Sequence, residues 1–234
     1  CDILHEAHDV RRSQIFRFVN TGTIAKYRSL WGVRKTTYLK SHYENPVVPK
    51  HEFANAMPRR ARQSERPKII IKGIRYFDSF VDPDGSYIAG KSTIIVFHSS
   101  DAVLNLHWLS AILNSKLIMF LLRSAFSSLG IDGGINFSKD MVAGIRLPTL
   151  KLDDKRELAA LAERAAKEDP MADISNIEGK INERVYRLYS LTSDEISIVE
   201  GACAAPKKSD NEITSRRPVK TKSKSALVDD EGLD

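Results

Sequence analysis

Cysteine is almost absent from this chain of 234 residues: Cys1 and Cys203 stand near opposite ends. Two such residues build neither a disulfide framework nor a thiolate metal site, so a reduced, cytoplasmic setting is the expectation. Histidine is also scarce. The six are scattered, and His5 and His8 have no downstream Cys or His pair, which argues against zinc. Long apolar runs are missing. The longest, Leu117-Ile118-Met119-Phe120-Leu121-Leu122, stops at Arg123, far short of the ~18 residues that a membrane span needs. No membrane partner is therefore expected. No secretory pattern is seen at the start. The chain opens on Cys1 and not on Met, which leads us to expect a piece of a longer protein. No internal repeat is present.

What remains is ordinary in amount and informative in order. An apolar fraction of 42% is enough for a packed core, and the formal charge of +6 suits a nucleic-acid partner without requiring one. The run Ile15-Phe16-Arg17-Phe18-Val19 alternates like a short strand, and Asn20–Ile24 reads as a turn. Tyr27, Leu30 and Trp31 gather apolar surface, and 43–49, with two prolines, reads as extended. Phe53 and Met57 are candidate helix anchors. A strand is expected over 68–74, a second over 76–81 and a third over 87–97. Asp82-Pro83-Asp84-Gly85 is a strong turn signal, because Pro presets φ and Gly accepts a positive one.

Residues 101–129 have helical spacing, with Leu104, Trp108, Ile112 and Leu113 on the apolar side. Ser100 or Asp101 would cap this stretch, and Asn114-Ser115 would divide it in two. A glycine-rich loop at 130–134, a short strand at 135–137, a Ser138-capped turn and an edge strand at 145–148 complete the unit. From Asp153 the pattern is helical. Leu158, Leu161, Ala162 and Ala165 make one stripe; Ile177, Ile181, Val185 and Leu188 make another. Thr192 and Glu195 have the spacing of a capping box for a last helix ending near Gly201. Residues 206–234 carry almost no core formers and are expected to be disordered.

In this order, the motifs resemble a known family. Phe18-Val19-Asn20-Thr21-Gly22-Thr23-Ile24 with Tyr27 and Trp31 comes first, then Lys68-Ile69-Ile70-Ile71-Lys72-Gly73-Ile74-Arg75 and Gly90-Lys91-Ser92-Thr93. Leu113-Asn114-Ser115-Lys116, Phe137, Leu147-Pro148 and the stretch 181–192 follow, closing on Val199-Glu200-Gly201. From about Phe16 to Gly201 the chain is similar to the TaqI-like C-terminal specificity domain of adenine-N6 DNA methyltransferases and single-chain restriction–modification enzymes. It also resembles type I restriction specificity subunits. The resemblance implies an α+β target-recognition domain with a small twisted sheet and packed helices over 16–150, preceded by a connector (1–15). A helical segment (151–203) and a disordered tail (204–234) would follow.

The resemblance further implies that double-stranded DNA is one partner and a methyltransferase catalytic domain, in cis or in trans, the other. That domain would bind S-adenosylmethionine and flip the adenine; this chain would bind no cofactor itself. The family's catalytic loop, Asn/Asp-Pro-Pro-Tyr/Phe, has no counterpart here. Asn45-Pro46-Val47-Val48-Pro49 lacks the second adjacent Pro and the aromatic. The glycines of 130–134 lack the strand–Gly-x-Gly–helix setting of a cofactor loop. A nuclease pattern at Asp169 with Glu178-Gly179-Lys180 is weakened by the helical spacing around Glu178.

Between Lys50 and Arg75 eight Lys or Arg residues face two Glu. A solvated loop would read the same way, but with the resemblance the run is expected to contact phosphates. Arg59, Arg60 and Arg62 would follow the DNA backbone. Lys72, Arg75 and Lys91, read as strand-borne, and the neighbouring Ser92 would approach base edges or phosphates. Arg75 is the first choice for a base reader, because a guanidinium pairs bidentately with guanine O6 and N7. Tyr76 and Tyr87 are candidates for stacking, and Trp31 and Trp108 are read as core. The basic residues of 207–224 would add non-specific affinity, opposed by the acidic ending. The alternative reading is a protein-interaction module without DNA-reading activity.

Overall fold

The computed structural model describes residues 3–7, 14–98, 103–126 and 135–204, with backbone alone at 103–105. The Ser100 or Asp101 cap, the 130–134 loop, most of the 1–15 connector and the tail beyond Ala204 lie outside the described residues.

The first sheet has four strands in the order β1-β7-β2-β10: β1 (His5–Glu6), β7 (Pro46–Pro49), β2 (Ile15–Val19) and β10 (Tyr87–Ala89). β2 is the expected alternating strand, and it is covered on both faces except at Arg17. Its neighbour β10 runs parallel to it, pairing Ile88 with Phe18. The two prolines of β7 sit at its ends, where a missing N–H is tolerated. The second sheet has the order β11-β8-β9 and is wholly antiparallel. β8 (Lys68–Lys72) is its centre, β9 (Ser79–Asp82) and β11 (Thr93–Val96) its edges. Ile69, Ile70 and Ile71 are fully buried, as a central strand covered on both faces requires. Two small hairpins complete the strands: β3 (Ile24–Ala25) with β4 (Arg28–Ser29), and β5 (Thr36–Tyr38) with β6 (Ser41–Tyr43).

Helices α1 (Lys50–Ala56) and α2 (Pro58–Ser64) lie between β7 and β8, with Phe53 buried as the anchor of α1. The apolar stretch after the second sheet forms α3 (Val103–Leu113) and α4 (Lys116–Phe126), bent by 55° between Leu106–Leu113 and Lys116–Phe126. The expected break at Asn114-Ser115 has a physical cause. The Asn114 side chain leaves the helix to bond Ser79 of edge strand β9: Oδ1 accepts its N–H at 2.8 Å and Nδ2 donates to its carbonyl at 3.0 Å. Among the described residues no single helix is long and apolar enough to cross a membrane. A short α5 (Lys139–Ala143) is capped by Ser138, as expected.

The chain ends in α6 (Leu152–Lys167), α7 (Ser175–Leu188) and α8 (Ser193–Ala204). The Thr192–Glu195 capping box is present in both directions: Thr192 N–H donates to Glu195 Oε2 at 2.8 Å and Glu195 N–H to Thr192 Oγ1 at 3.3 Å. One apolar core runs from Ile69 and Ile71 through Leu106 and Ile112 to Leu158, Ile181 and Val199. The helical segment over 151–203 thus shares its core with the sheet below it. Arg28 fastens the two, donating to the carbonyls of Asp169 and Ala172.

Four local expectations are corrected. The run 87–97 is not one strand. It divides at Gly90-Lys91-Ser92, because β10 belongs to the first sheet and β11 to the second. The strand expected over 76–81 begins only at Ser79, since Arg75 is left-handed and Phe77 turns inward against the Phe137 ring, 5.0 Å away. Residues 145–148 form no strand. The 135–137 segment makes only a single bridge, Ile74 to Asn136.

Candidate nucleic-acid interface

The parallel pairing of β2 and β10 brings their C-terminal ends together, and the turn that follows carries Lys91 and Ser92 to the end of β8. Gly90 N–H donates to the Val19 carbonyl at 2.8 Å. The next residues, Lys91 and Ser92, are exposed and form the turn that changes sheets. Ser92 in turn accepts the Gly73 N–H at 3.0 Å through its carbonyl, beside the end of β8. Lys72 is the last residue of β8 and pairs with Thr93. Arg75 follows, exposed, with its N–H bonded to the Ile135 carbonyl at 2.9 Å. Lys72, Arg75, Lys91 and Ser92 therefore stand on one rim.

Lys91 and Arg75 are not strand-borne, as the sequence suggested. They sit on the connections at the strand ends, and both are exposed. Two of the four rim residues, Arg75 (φ +67°) and Ser92 (φ +65°), have left-handed backbone. For residues with a Cβ this costs about 1–2 kcal/mol each, and such strain concentrates at functional sites. Gly73 is needed between them. A Cβ there would lie 2.5 Å from the Ser92 carbonyl oxygen, a backbone atom that cannot swing aside.

α2 extends the rim. It runs antiparallel beside β10, with the Glu65 backbone against Gly85 and the Arg60 guanidinium 3.0 Å from the Ala89 carbonyl. Arg60 is thus committed to the fold, and it also lies over the Phe53 ring at 5.9 Å. Arg59 and Arg62, one helical turn apart, are exposed. From residue 59 to the helix end at Ser64 the rise is about 7.5 Å, roughly two phosphates along one strand of a duplex. Arg66 follows, over the Phe97 ring at 4.7 Å.

Lys68 does not belong to the phosphate-contact run, contrary to the sequence reading. It is wholly buried, and its ammonium donates to Asp82 Oδ2 at 2.5 Å and to the Ser64 carbonyl at 2.6 Å. Burial pulls its pKa below the usual lysine range, against the opposing pull of the Asp82 carboxylate. Asp82 also accepts the backbone N–H groups of Ser86 and Tyr87, at 2.9 and 3.0 Å. The pair thereby holds the turn expected at Asp82–Gly85 closed.

The aromatic candidates are occupied. Lys72 Nζ lies 5.2 Å from the Tyr76 ring centre. Tyr87 packs edge-on against Phe80, and its hydroxyl accepts from Arg17 at 2.9 Å. Arg17, which drew no notice in the sequence, lies between the rings of Trp31 and Tyr87. Trp108 is buried, as expected. Trp31 is partly buried, with its indole N–H on the Pro46 carbonyl at 2.8 Å. Asn45 precedes β7, and Pro46–Pro49 is that strand, not a loop. Glu178 is on helix α7, 3.5 Å from Lys26.

A groove of about 1030 Å³ lies between α6, α7 and α8. Its charges are mixed, and some are paired. Glu200 accepts from Tyr186 at 2.7 Å and pairs with Lys116, and Glu157 pairs with Arg184. Burial and the Glu200 carboxylate raise the Tyr186 phenol far above its usual range, so it stays protonated. Among the described residues no group of three or more His, Cys, Asp or Glu could hold a metal ion. No family model matches the sequence, and no curated protein matches it significantly.

Proposed function

We propose that this chain is the DNA-reading part of a site-specific adenine-N6 DNA methyltransferase or restriction–modification enzyme working in the cytoplasm. It binds duplex DNA and positions the target adenine for a catalytic domain that carries S-adenosylmethionine. The observation that supports this most is the basic rim. Lys72 and Arg75 come from one stretch of sequence and Lys91 and Ser92 from another; they meet where β8 ends and β11 begins, and are continued by Arg59 and Arg62. Arg75 and Lys91 are exposed at this edge, and Arg75 holds a left-handed backbone there; an exposed cationic edge suits a polyanion.

The rim divides the work by rigidity. Arg59 and Arg62, on a short helix, neutralise phosphates and fix orientation. Arg75 and Lys91, on connections held by backbone hydrogen bonds, reach base edges in the major groove. The groove between α6, α7 and α8, with Leu161, Leu191 and Ile196 among mixed charges, suits contact with the catalytic domain. The same groove is what favours the second reading, a protein-interaction module.

Selection from a random duplex pool tests the proposal. A recurrent sequence among bound duplexes, lost in Arg75→Ala while residual binding survives, is expected. Binding without enrichment of any sequence would remove the reading role.

A further inference from the structure

The β5–β6 hairpin is the least explained element. Its two-residue turn is Leu39-Lys40, and both residues have positive φ, +48° and +71°. That is the arrangement of a type I′ turn, for which Asn-Gly is the favoured pair and leucine is poorly suited. Leu39 is also 68% exposed. It pays for neither position with any packing, so the fold does not account for a leucine at this tip.

The arm is rigid at its root. The Tyr38 and Phe18 rings meet edge-on at 5.0 Å, Asn20 Nδ2 donates to the Thr37 carbonyl at 3.2 Å, and Thr36 is buried. Its charge is mostly positive: Arg34, Lys35 and Lys40 lie between Gly32 and Tyr43, and Glu44, just past β6, pairs with Lys35 at 2.9 Å. Its position ties it to the rim. The Phe18 ring that holds Tyr38 also lies against Gly90, where an added Cβ would come within 2.8 Å of Phe18 Cζ. The hairpin root and the Gly90-Lys91-Ser92 turn therefore flank one ring.

An exposed apolar tip on a stiff, basic arm beside a DNA-binding rim has the chemistry of a wedge. Proteins that kink duplexes insert a leucine or similar side chain between base pairs from the minor groove, while flanking cations hold the backbone. A lone leucine offers too little apolar area for a membrane or a stable protein interface, and the surrounding cations favour a polyanion. We propose that Leu39 inserts at a base step of bound duplex DNA, with Lys40 and Arg34 on the adjoining phosphates. This rests on the reading of the chain as a duplex-DNA binder. It adds a distortion step at the DNA surface, separate from the base contacts of Arg75 and Lys91.

The test uses the whole chain and a short duplex with 2-aminopurine beside TA steps, which unstack easily. Anisotropy reports binding, and 2-aminopurine fluorescence reports unstacking. The wild-type chain should raise the fluorescence about twofold or more on binding. Leu39→Asn suits the left-handed turn better than leucine does, so it cannot fail by unfolding. It should bind within about twofold of wild type with the same salt slope, because no charge changes, yet give no fluorescence rise. A rise equal to that of wild type in Leu39→Asn, or none in wild type despite binding, overturns the wedge and leaves the DNA reading intact. No binding by the wild-type chain at low salt overturns the DNA reading and the wedge with it.

Discussion

Replacing Asn114 with leucine tests how the helical layer holds the sheet that carries the rim. Leucine has similar volume, so packing changes little and hydrogen bonding changes most. The substitution removes the acceptor of the Ser79 N–H and two donor bonds, to the Ser79 carbonyl and to Ser110 Oγ at 3.1 Å. The Ser79 carbonyl keeps the Tyr27 N–H at 2.7 Å. The Ser79 N–H is left buried and unpaired. An orphaned buried donor costs about 1–3 kcal/mol, and each lost bond about 0.5–1.5 kcal/mol, giving about 2–6 kcal/mol in all. For a unit of this size each kcal/mol lowers Tm by about 2–4 °C, so a drop near 10 °C is expected. Thermal unfolding by circular dichroism measures the loss. Hydrogen exchange should show the Ser79 amide protected in wild type and exposed in the variant. A cost below about 1 kcal/mol, with Ser79 still protected, would refute the argument that Asn114 stands in for a missing strand partner.

Other substitutions probe the rim and its support. Gly73→Ala drives a Cβ against the Ser92 carbonyl oxygen; it should lose about 1–3 kcal/mol in urea unfolding and weaken duplex binding, since the connections bearing Arg75 and Lys91 must part. Asp82→Asn leaves the Lys68 cation buried and unpaired, at a cost of about 3–5 kcal/mol near neutral pH. That cost should shrink toward pH 10. Burial already lowers the folded-state pKa of Lys68, and loss of its partner lowers it further. Between the folded and unfolded values the unfolded chain then holds the extra proton, and stability rises with pH; urea midpoints at about pH 7 and pH 9.5 read the sign. Arg60→Ala should destabilise the fold more than it changes the salt dependence of binding, because its guanidinium is already on the Ala89 carbonyl and the Phe53 ring.

What could be read from the sequence was local. The Asp82–Gly85 turn, the Ser138 cap and the Thr192–Glu195 box each depend on residues a few positions apart; the division at Asn114-Ser115 was expected too, although its partner, Ser79, lies 35 positions away. α6 and α7 follow from stripes with the helical period. The errors all depend on distant partners. Nothing near 87–97 indicates that Tyr87–Ala89 pairs with Ile15–Val19 while Thr93–Val96 pairs with β8. Lys68 looks like its basic neighbours until Asp82, brought opposite by strand pairing, takes its ammonium into the core. Arg60 looks like Arg59 until β10 lies beside α2. The β5–β6 hairpin escaped notice because Leu-Lys is not a turn signal. The basic candidates were separate in the sequence; their meeting at the rim came from the pairing of β8 with β11 and the bond from Gly73 to Ser92.

The central claim is most directly tested by duplex binding across a salt series, comparing wild type with Arg59→Ala/Arg62→Ala. Fluorescence anisotropy of a mixed duplex pool gives the slope of log K against log salt. Each phosphate contact contributes about 0.9 to that slope, so the double variant should be shallower by about 1.8, with its fold intact by circular dichroism. A wild-type chain that does not bind, or a double variant with an unchanged slope, would contradict the assignment of this rim to DNA.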